Sequence, residues 1–147
     1  MSNVTKLHDA VKRGDLAAIA ALLDHDQSLA NSVSETDPRL TYPLHVAAEF
    51  DQPEAARMLT ARGADISLRD TENDATPLSW AAFFGRPRVV DVLLEAGADP
   101  NHRNKHGLTP LDCALGGTAG RWSQFSNATP DEWRRAAQLI SAAGGKS

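Results

Sequence analysis

Cysteine, basic runs and long apolar runs are all scarce in this 147-residue chain, and each shortage excludes a class of protein. A single cysteine rules out an internal disulfide framework. The net charge is −4 and no basic run exceeds two residues, so nucleic acid is a poor partner. No segment approaches ~18 consecutive apolar residues, and the first residues lack the apolar core of a signal peptide. We therefore expect no membrane contact and a cytoplasmic location.

Aromatic residues are also few, at 5% of the chain, although 41% of the residues are hydrophobic. The core must therefore come mainly from alanine, leucine and valine. Small side chains of this kind suit thin helices that pack closely against one another.

Residues 76–98 carry the clearest local signal, with the sequence TPLSWAAFFG followed by RPRVVDVLLEAGA. Pro77 and Pro87 preset the first turns of two helices, Gly85 permits a reversal between them, and Gly97 supplies a left-handed stop. Each predicted helix has one apolar face that it cannot bury alone. Stability must therefore come from neighbouring copies of the same unit.

Two such copies are present, one opening with Tyr-Pro-Leu at Tyr42 and one with Thr-Pro-Leu at Thr109. Pro43, Pro77 and Pro110 lie 34 and then 33 residues apart. This period and these motifs resemble the ankyrin repeat. The resemblance implies an all-α solenoid of about four helix-turn-helix repeats, joined by polar, hairpin-like connections that we call fingers.

On this basis residues 1–147 form a single ankyrin-repeat domain, with repeats at about 5–31, 41–70, 75–104 and 108–145. The first and last repeats are expected to be irregular caps. Two residues depart from the family pattern in the second repeat: Tyr42 replaces the motif threonine, and Asp51 replaces the glycine between the helices. A third departure lies in the finger that follows, where Asp74 replaces a glycine.

The last repeat contains an insertion, which we place at residues 116–128. The step from Leu111 to Gly144 is 33 residues, whereas the equivalent step from Leu78 to Gly97 is 19. Three glycines in this stretch predict a flexible hinge: Gly116, Gly117 and Gly120.

The insertion also carries Trp122 and Phe125, which are too apolar to remain in water without consequence. We expect them to fold back along the concave groove towards Phe83 and Phe84. There they either pin the loop to the groove or contact a partner.

The candidates for catalysis or metal binding are weak. His102 and His106 are four residues apart, but Pro100 and Gly107 predict a turn rather than the helix that such a metal site needs. His8 and His45 occupy the motif histidine of the repeat, for which the resemblance implies a hydrogen bond that rigidifies a turn. Cys113 is expected to be buried and inert. We therefore predict no catalytic residue, no cofactor and no metal.

The resemblance implies that partner contacts come from the concave ends of the first helices, the finger tips and the insertion. Large aromatic side chains and arginine are typical of such contacts. The candidate residues are Glu49, Phe50, Phe83, Phe84, Arg86, Arg121, Trp122, Phe125, Glu72, Asn73, Lys105 and His106.

The predicted function is non-enzymatic recognition of another protein, by a chain that is monomeric alone. The rigid scaffold would limit the ordering cost of binding. The alternative is an enzyme or small-ligand-binding protein, with a pocket formed where the 116–128 insertion covers the groove. In that case Glu49, Arg86 and Arg121 would supply its polar groups.

Overall fold

The computed structural model describes residues 1–147 and contains eight α-helices, one short 3-10 helix and no β-strand. The helices are α1 (Asn3–Arg13), α2 (Leu16–His25), α3 (Pro43–Glu49), α4 (Pro53–Ala61), α5 (Pro77–Phe84), α6 (Pro87–Glu95), α7 (Pro110–Thr118) and α8 (Pro130–Ala142). The 3-10 helix spans Gln27–Asn31 and follows α2. This architecture confirms the all-α prediction.

Helix starts follow from short local signals. Helices α3 to α8 all begin with proline, whose fixed φ and missing N–H suit the first turn. The threonines before α5, α7 and α8 cap these helices, because each hydroxyl accepts an N–H from the first turn: Thr76 from Ser79, Thr109 from Asp112 and Thr129 from Glu132. These signals act within one turn, so the sequence alone predicts them.

The helices pack in two rows. The odd-numbered helices α1, α3, α5 and α7 contact one another in chain order, and the even-numbered helices α2, α4, α6 and α8 form the second row behind them. The core between the rows is rich in alanine and leucine, and Leu78, Leu93 and Ile140 are completely buried. Each repeat thus completes the burial of its apolar face against its neighbours.

Tight turns take the left-handed conformation that the repeat pattern requires. Gly85 has φ 69° between α5 and α6, and Asp51 takes the equivalent position between α3 and α4 with φ 55°. Asp74 lies in the finger before α5, at the position that Gly107 holds in the next finger, and its φ is 51°. Aspartate adopts this conformation more readily than most side chains do, so both substitutions preserve the turn.

The motif histidines make the expected hydrogen bonds. The Tyr42 N–H donates to His45 Nδ1 at 3.3 Å, so Nε2 carries the proton and donates to the Ala75 carbonyl at 2.9 Å. His8 Nε2 lies 3.0 Å from the Ser32 carbonyl in the same way. Burial lowers the pKa of His45 to about 4, and it also lowers that of His8. Both rings thus join the first helix of a repeat to the connection leading into the next repeat.

The insertion is shorter than predicted. Gly116 and Gly117 are buried within α7, which continues to Thr118, so the non-helical segment between the last two helices spans residues 119–129. Of the three expected hinge glycines, only Gly120 has a positive φ, at 82°. The insertion is therefore residues 119–129 in the folded chain.

Candidate partner-binding groove

Helices α3, α5 and α7, the insertion and the fingers enclose an open groove of about 500 Å³. Its apolar surface comes from α5 and the insertion, namely Trp80, Phe83, Phe84, Trp122 and Phe125. The fingers contribute Asn73, Asn104, His106 and Leu108, and the end nearest the second repeat carries Arg39 and Glu49. The groove is therefore apolar along most of its length and charged at one end.

Phe83 is the centre of the aromatic surface. Its ring centroid lies 4.8 Å from that of Trp122, 5.8 Å from that of Phe125 and 5.1 Å from that of Phe84. These separations are typical of favourable aromatic pairs. The insertion thus folds back on Phe83, as predicted. Phe84 departs from the expectation, because it is only 8% exposed beneath Phe83 and Trp80, whereas Phe125 is 58% exposed.

The two glycines of α7 leave room for two tryptophan rings. A Cβ on Gly116 would lie 2.7 Å from the Trp122 indole, and a Cβ on Gly117 would lie 2.1 Å from the Trp133 indole. Trp122 Nε1 donates to the Cys113 carbonyl at 2.8 Å, and Trp133 Nε1 donates to the Phe83 carbonyl at 3.0 Å. Indole rings from the insertion and from α8 therefore occupy the space beside these two glycines.

Further hydrogen bonds attach the insertion to the third repeat, and Arg86 links it onward to the second. The Ser126 hydroxyl donates to the Phe84 carbonyl at 2.7 Å, which satisfies one of the open carbonyls at the end of α5. Arg86 donates through Nη1 to Asn127 Oδ1 at 2.7 Å, and through Nη2 to the Glu49 carbonyl at 2.9 Å. The insertion is thus a fixed wall of the groove rather than a hinged flap.

Arg39 organises the charged end. Its guanidinium donates to both oxygens of Asp37, at 2.7 Å for the closest pair, and to Glu49 Oε1 at 3.0 Å. The hydrogen bonds from Arg39 lower the pKa of Asp37, and the carboxylates raise the pKa of Arg39. The Arg39 guanidinium also lies 4.7 Å from the ring centroid of Trp80, a cation–π distance.

Asp70 supports Trp80 from behind and is 1% exposed. Its carboxylate accepts hydrogen bonds from Trp80 Nε1 at 3.1 Å, from the Ala75 N–H at 3.1 Å and from Asn73 through both the backbone and the side chain. Several donors of this kind can compensate a buried carboxylate for lost water. Asp70 thereby fixes both the finger and the indole beside the groove.

The fingers are joined to one another by their backbones. The Thr71 N–H donates to the Arg39 carbonyl at 3.3 Å, and the Lys105 N–H donates to the Asn73 carbonyl at 2.9 Å. Asn73 and His106 both line the groove, so these two finger-tip candidates lie beside the aromatic candidates of α5 and the insertion.

Five of the twelve candidate contact residues lie outside the groove, namely Phe50, Glu72, Arg86, Lys105 and Arg121. Phe50 is 39% exposed and lies under the Lys12 ammonium, 4.8 Å from its ring centroid. Arg86 is occupied with the Glu49 carbonyl and Asn127. Of the three polar groups expected in a small-ligand pocket, only Glu49 therefore lines this groove.

Cys113 lines the groove but is only 2% exposed, in agreement with the structural role expected for it. Burial raises the pKa of its thiol to about 12. Since the thiolate is the reactive form, the side chain behaves as a small apolar residue.

His102 and His106 lie in a non-helical finger, as Pro100 and Gly107 predict. His102 Nε2 is 2.9 Å from the Asp74 carbonyl, and His106 is exposed at the tip of the finger. No group of three or more His, Cys, Asp or Glu side chains is placed to hold a metal ion.

Comparison with known families agrees with this architecture. A family model described as ankyrin repeats, with three copies, matches residues 2–70 and 44–119. The chain belongs to the ankyrin repeat family. Ankyrin repeats are protein-interaction modules, and the groove of this ankyrin repeat protein lies between its first helices and its fingers. No helix is both long and apolar enough to cross a membrane.

Relatives with this repeat differ widely in the rest of their chains. Palmitoyltransferase AKR1 of Kluyveromyces lactis is 33% identical over 111 residues, which cover 75% of this chain and 14% of that protein. Ankyrin repeat and SOCS box protein 11 of Danio rerio is 34% identical over 106 residues, 72% of this chain and 34% of its own. An ankyrin repeat-containing protein of Treponema pallidum is 35% identical over 105 residues, covering 67% and 35%. The chain thus spans about a third or less of these relatives.

Sequence reasoning missed three polar groove residues, Arg39, Asn104 and Ser79, and the buried Asp70 behind the groove. The segment Asp37-Pro38-Arg39 carried a weak signal, because an arginine two residues after an aspartate can fold back on it within a turn. Asp70 carried no such signal, since its partner Trp80 lies in the following helix. Nothing local marks an aspartate as buried.

Proposed function

We propose that this ankyrin repeat protein is a non-enzymatic binding module that holds a segment of another protein in its groove. The observation that supports this proposal most strongly is the aromatic surface made by Phe83, Trp122 and Phe125, in which Phe125 is 58% exposed. Exposed aromatic side chains on a rigid support are typical centres of binding energy.

Preorganisation supports the proposal. The insertion is fixed by Ser126, Asn127 and Trp122 before any partner arrives, so little order remains to be gained on binding. Affinity in such a site depends on the quality of the contacts more than on new ordering of the chain. The finger tips carrying Glu72 and Lys105 are exposed and would contribute to the rim.

The test uses peptides selected for binding to the whole chain from a random display library. Phe125→Ala and Phe83→Ala are the groove variants, and Phe50→Ala is the matched control, because Phe50 is exposed but lies away from the groove. We expect the groove variants to weaken binding at least about fivefold, or ~1 kcal/mol, and the control to leave it unchanged.

Circular dichroism of each variant separates lost binding from lost folding. Equal binding by parent and groove variants, or equal loss in the Phe50→Ala control, would show that partners use another surface.

A second candidate is a small-ligand-binding protein, because the insertion forms one wall of a groove of about 500 Å³. Small-molecule sites typically measure about 300 to 1,000 Å³. A small-molecule thermal-shift screen tests it. A compound that stabilises the parent chain but not Phe125→Ala, and that competes with the selected peptides, would favour this candidate over the protein segment.

A further inference from the structure

The charged end of the groove carries more negative than positive charge. Asp37 and Glu49 pair with the Arg39 guanidinium, Asp70 lies behind the neighbouring Trp80, and Arg86 reaches the Glu49 carbonyl, so three carboxylates stand against two guanidinium groups. Glu49 uses only Oε1 for Arg39, and its Oε2 has no hydrogen-bond partner in the chain. An approaching anion would meet a guanidinium whose charge two carboxylates already oppose, whereas a cation would meet an open carboxylate oxygen.

The indole of Trp80, which lies beside this end, also favours a cation. Trp80 Nε1–H donates to the buried Asp70 carboxylate, which increases the electron density of the indole. The face of that indole already attracts the Arg39 guanidinium. The contact between Arg39 and Trp80 is therefore an example, within this chain, of how the groove holds a positive charge.

The other half of the groove is apolar and partly open. Phe83, Phe125 and the finger residue Leu108 line it, and none of the three is fully buried. Phe83 belongs to α5 and Glu49 to the neighbouring α3, and packed helices lie roughly 8 to 10 Å apart. An extended chain advances about 3.3 Å per residue, so it bridges the two halves in about three residues.

We infer that the groove takes an extended segment with an apolar side chain against Phe83 and Phe125, and a cationic side chain about three residues away that pairs with Glu49. This inference rests on the proposed function and adds the chemical class of the partner segment. The apolar residue supplies most of the affinity, and the cation sets the register and selects against acidic segments.

The probes are acetylated and amidated peptides in a glycine–serine background. Each contains one leucine and one test residue placed two, three or four positions before or after it. The test residue is arginine, its neutral isostere citrulline, or glutamate. Binding of the fluorescently labelled peptides to the whole chain is followed by anisotropy at low and at high salt.

At the best spacing we expect the arginine peptide to bind about threefold to fivefold more tightly than the citrulline peptide, in keeping with a partly exposed charge pair. The glutamate peptide should bind more weakly than both, and added salt should reduce the differences. Glu49→Gln should abolish the preference for arginine while keeping the hydrogen bond to Arg39. Glu54→Gln, which changes an exposed carboxylate on α4, is the matched control and should keep the preference.

The outcomes separate this inference from the proposed function. Equal binding of arginine and glutamate peptides, tighter binding of glutamate, or a preference that survives Glu49→Gln overturns the cationic partner. If none of these peptides binds while display-selected peptides still require Phe125, the inference fails and the groove remains the binding site. If Phe125→Ala leaves all peptide binding unchanged, both fail.

Discussion

Gly117→Ala tests the central packing feature of the last repeat. Alanine is the better helix former, so this change within α7 would stabilise an isolated helix by about 1 kcal/mol. In the folded chain, however, the new Cβ would lie 2.1 Å from Cδ1 and Nε1 of Trp133, which is 2% exposed. Carbon atoms pack at about 3.5 to 4.0 Å, so the indole must move by more than ~1 Å.

That movement has two costs. The hydrogen bond from Trp133 Nε1 to the Phe83 carbonyl, 3.0 Å long, is strained or lost, which costs about 1 to 3 kcal/mol for a buried pair. Overpacking of the surrounding core costs about 1 to 3 kcal/mol more. After subtracting the gain in helix propensity, we expect Gly117→Ala to lower the free energy of unfolding by about 1 to 5 kcal/mol.

Urea unfolding followed by far-ultraviolet circular dichroism measures the change. Trp133→Leu provides the control background, because it removes the ring that the new methyl group meets. In that background Gly117→Ala should cost much less, which gives a coupling free energy of at least about 1 kcal/mol. A stabilised or unchanged Gly117→Ala variant, or equal costs in the two backgrounds, would refute the assignment of Gly117 to the tryptophan.

Three further predictions follow from single features. Leu93 is completely buried in α6, so Leu93→Ala should lower the free energy of unfolding by about 2 to 5 kcal/mol in the same urea assay. A loss below ~1 kcal/mol would show that α6 is not central to the core. Burial lowers the pKa of His45 to about 4, so the unfolded chain binds more protons than the folded one below about pH 6.5. Stability should therefore fall by up to ~3 kcal/mol between about pH 6.5 and pH 4, and His45→Gln should flatten this slope in pH-dependent unfolding if the ring is responsible. Exhaustive chelation should leave the melting temperature unchanged; a drop that zinc restores, and that His102→Ala with His106→Ala abolishes, would contradict this.

The sequence predicts the repeat architecture well because its signals are local. A threonine hydroxyl caps a helix within one turn, and proline sets its own φ whatever lies around it. Thr76 and Pro77 therefore predict where α5 begins, and Gly85 predicts where it ends, without knowledge of the rest of the chain.

The same local reasoning fails at Gly116 and Gly117. Adjacent glycines indicate flexibility when read alone, yet here two indoles from outside the helix occupy the space beside them. Phe84 fails for a related reason, since its burial depends on Trp80 and Phe83 packing over it. Which side chain covers another is a property of the assembled stack, and no residue type encodes it.

Trp133 makes the last two repeats inseparable. It belongs to α8, lies over α7 and donates to the carbonyl of Phe83 at the end of α5. A rearrangement that copied or removed one 33-residue unit at this point would leave either the α5 carbonyl or the glycine face of α7 without its indole. Residues 75–145 must therefore be inherited or transplanted as a single piece.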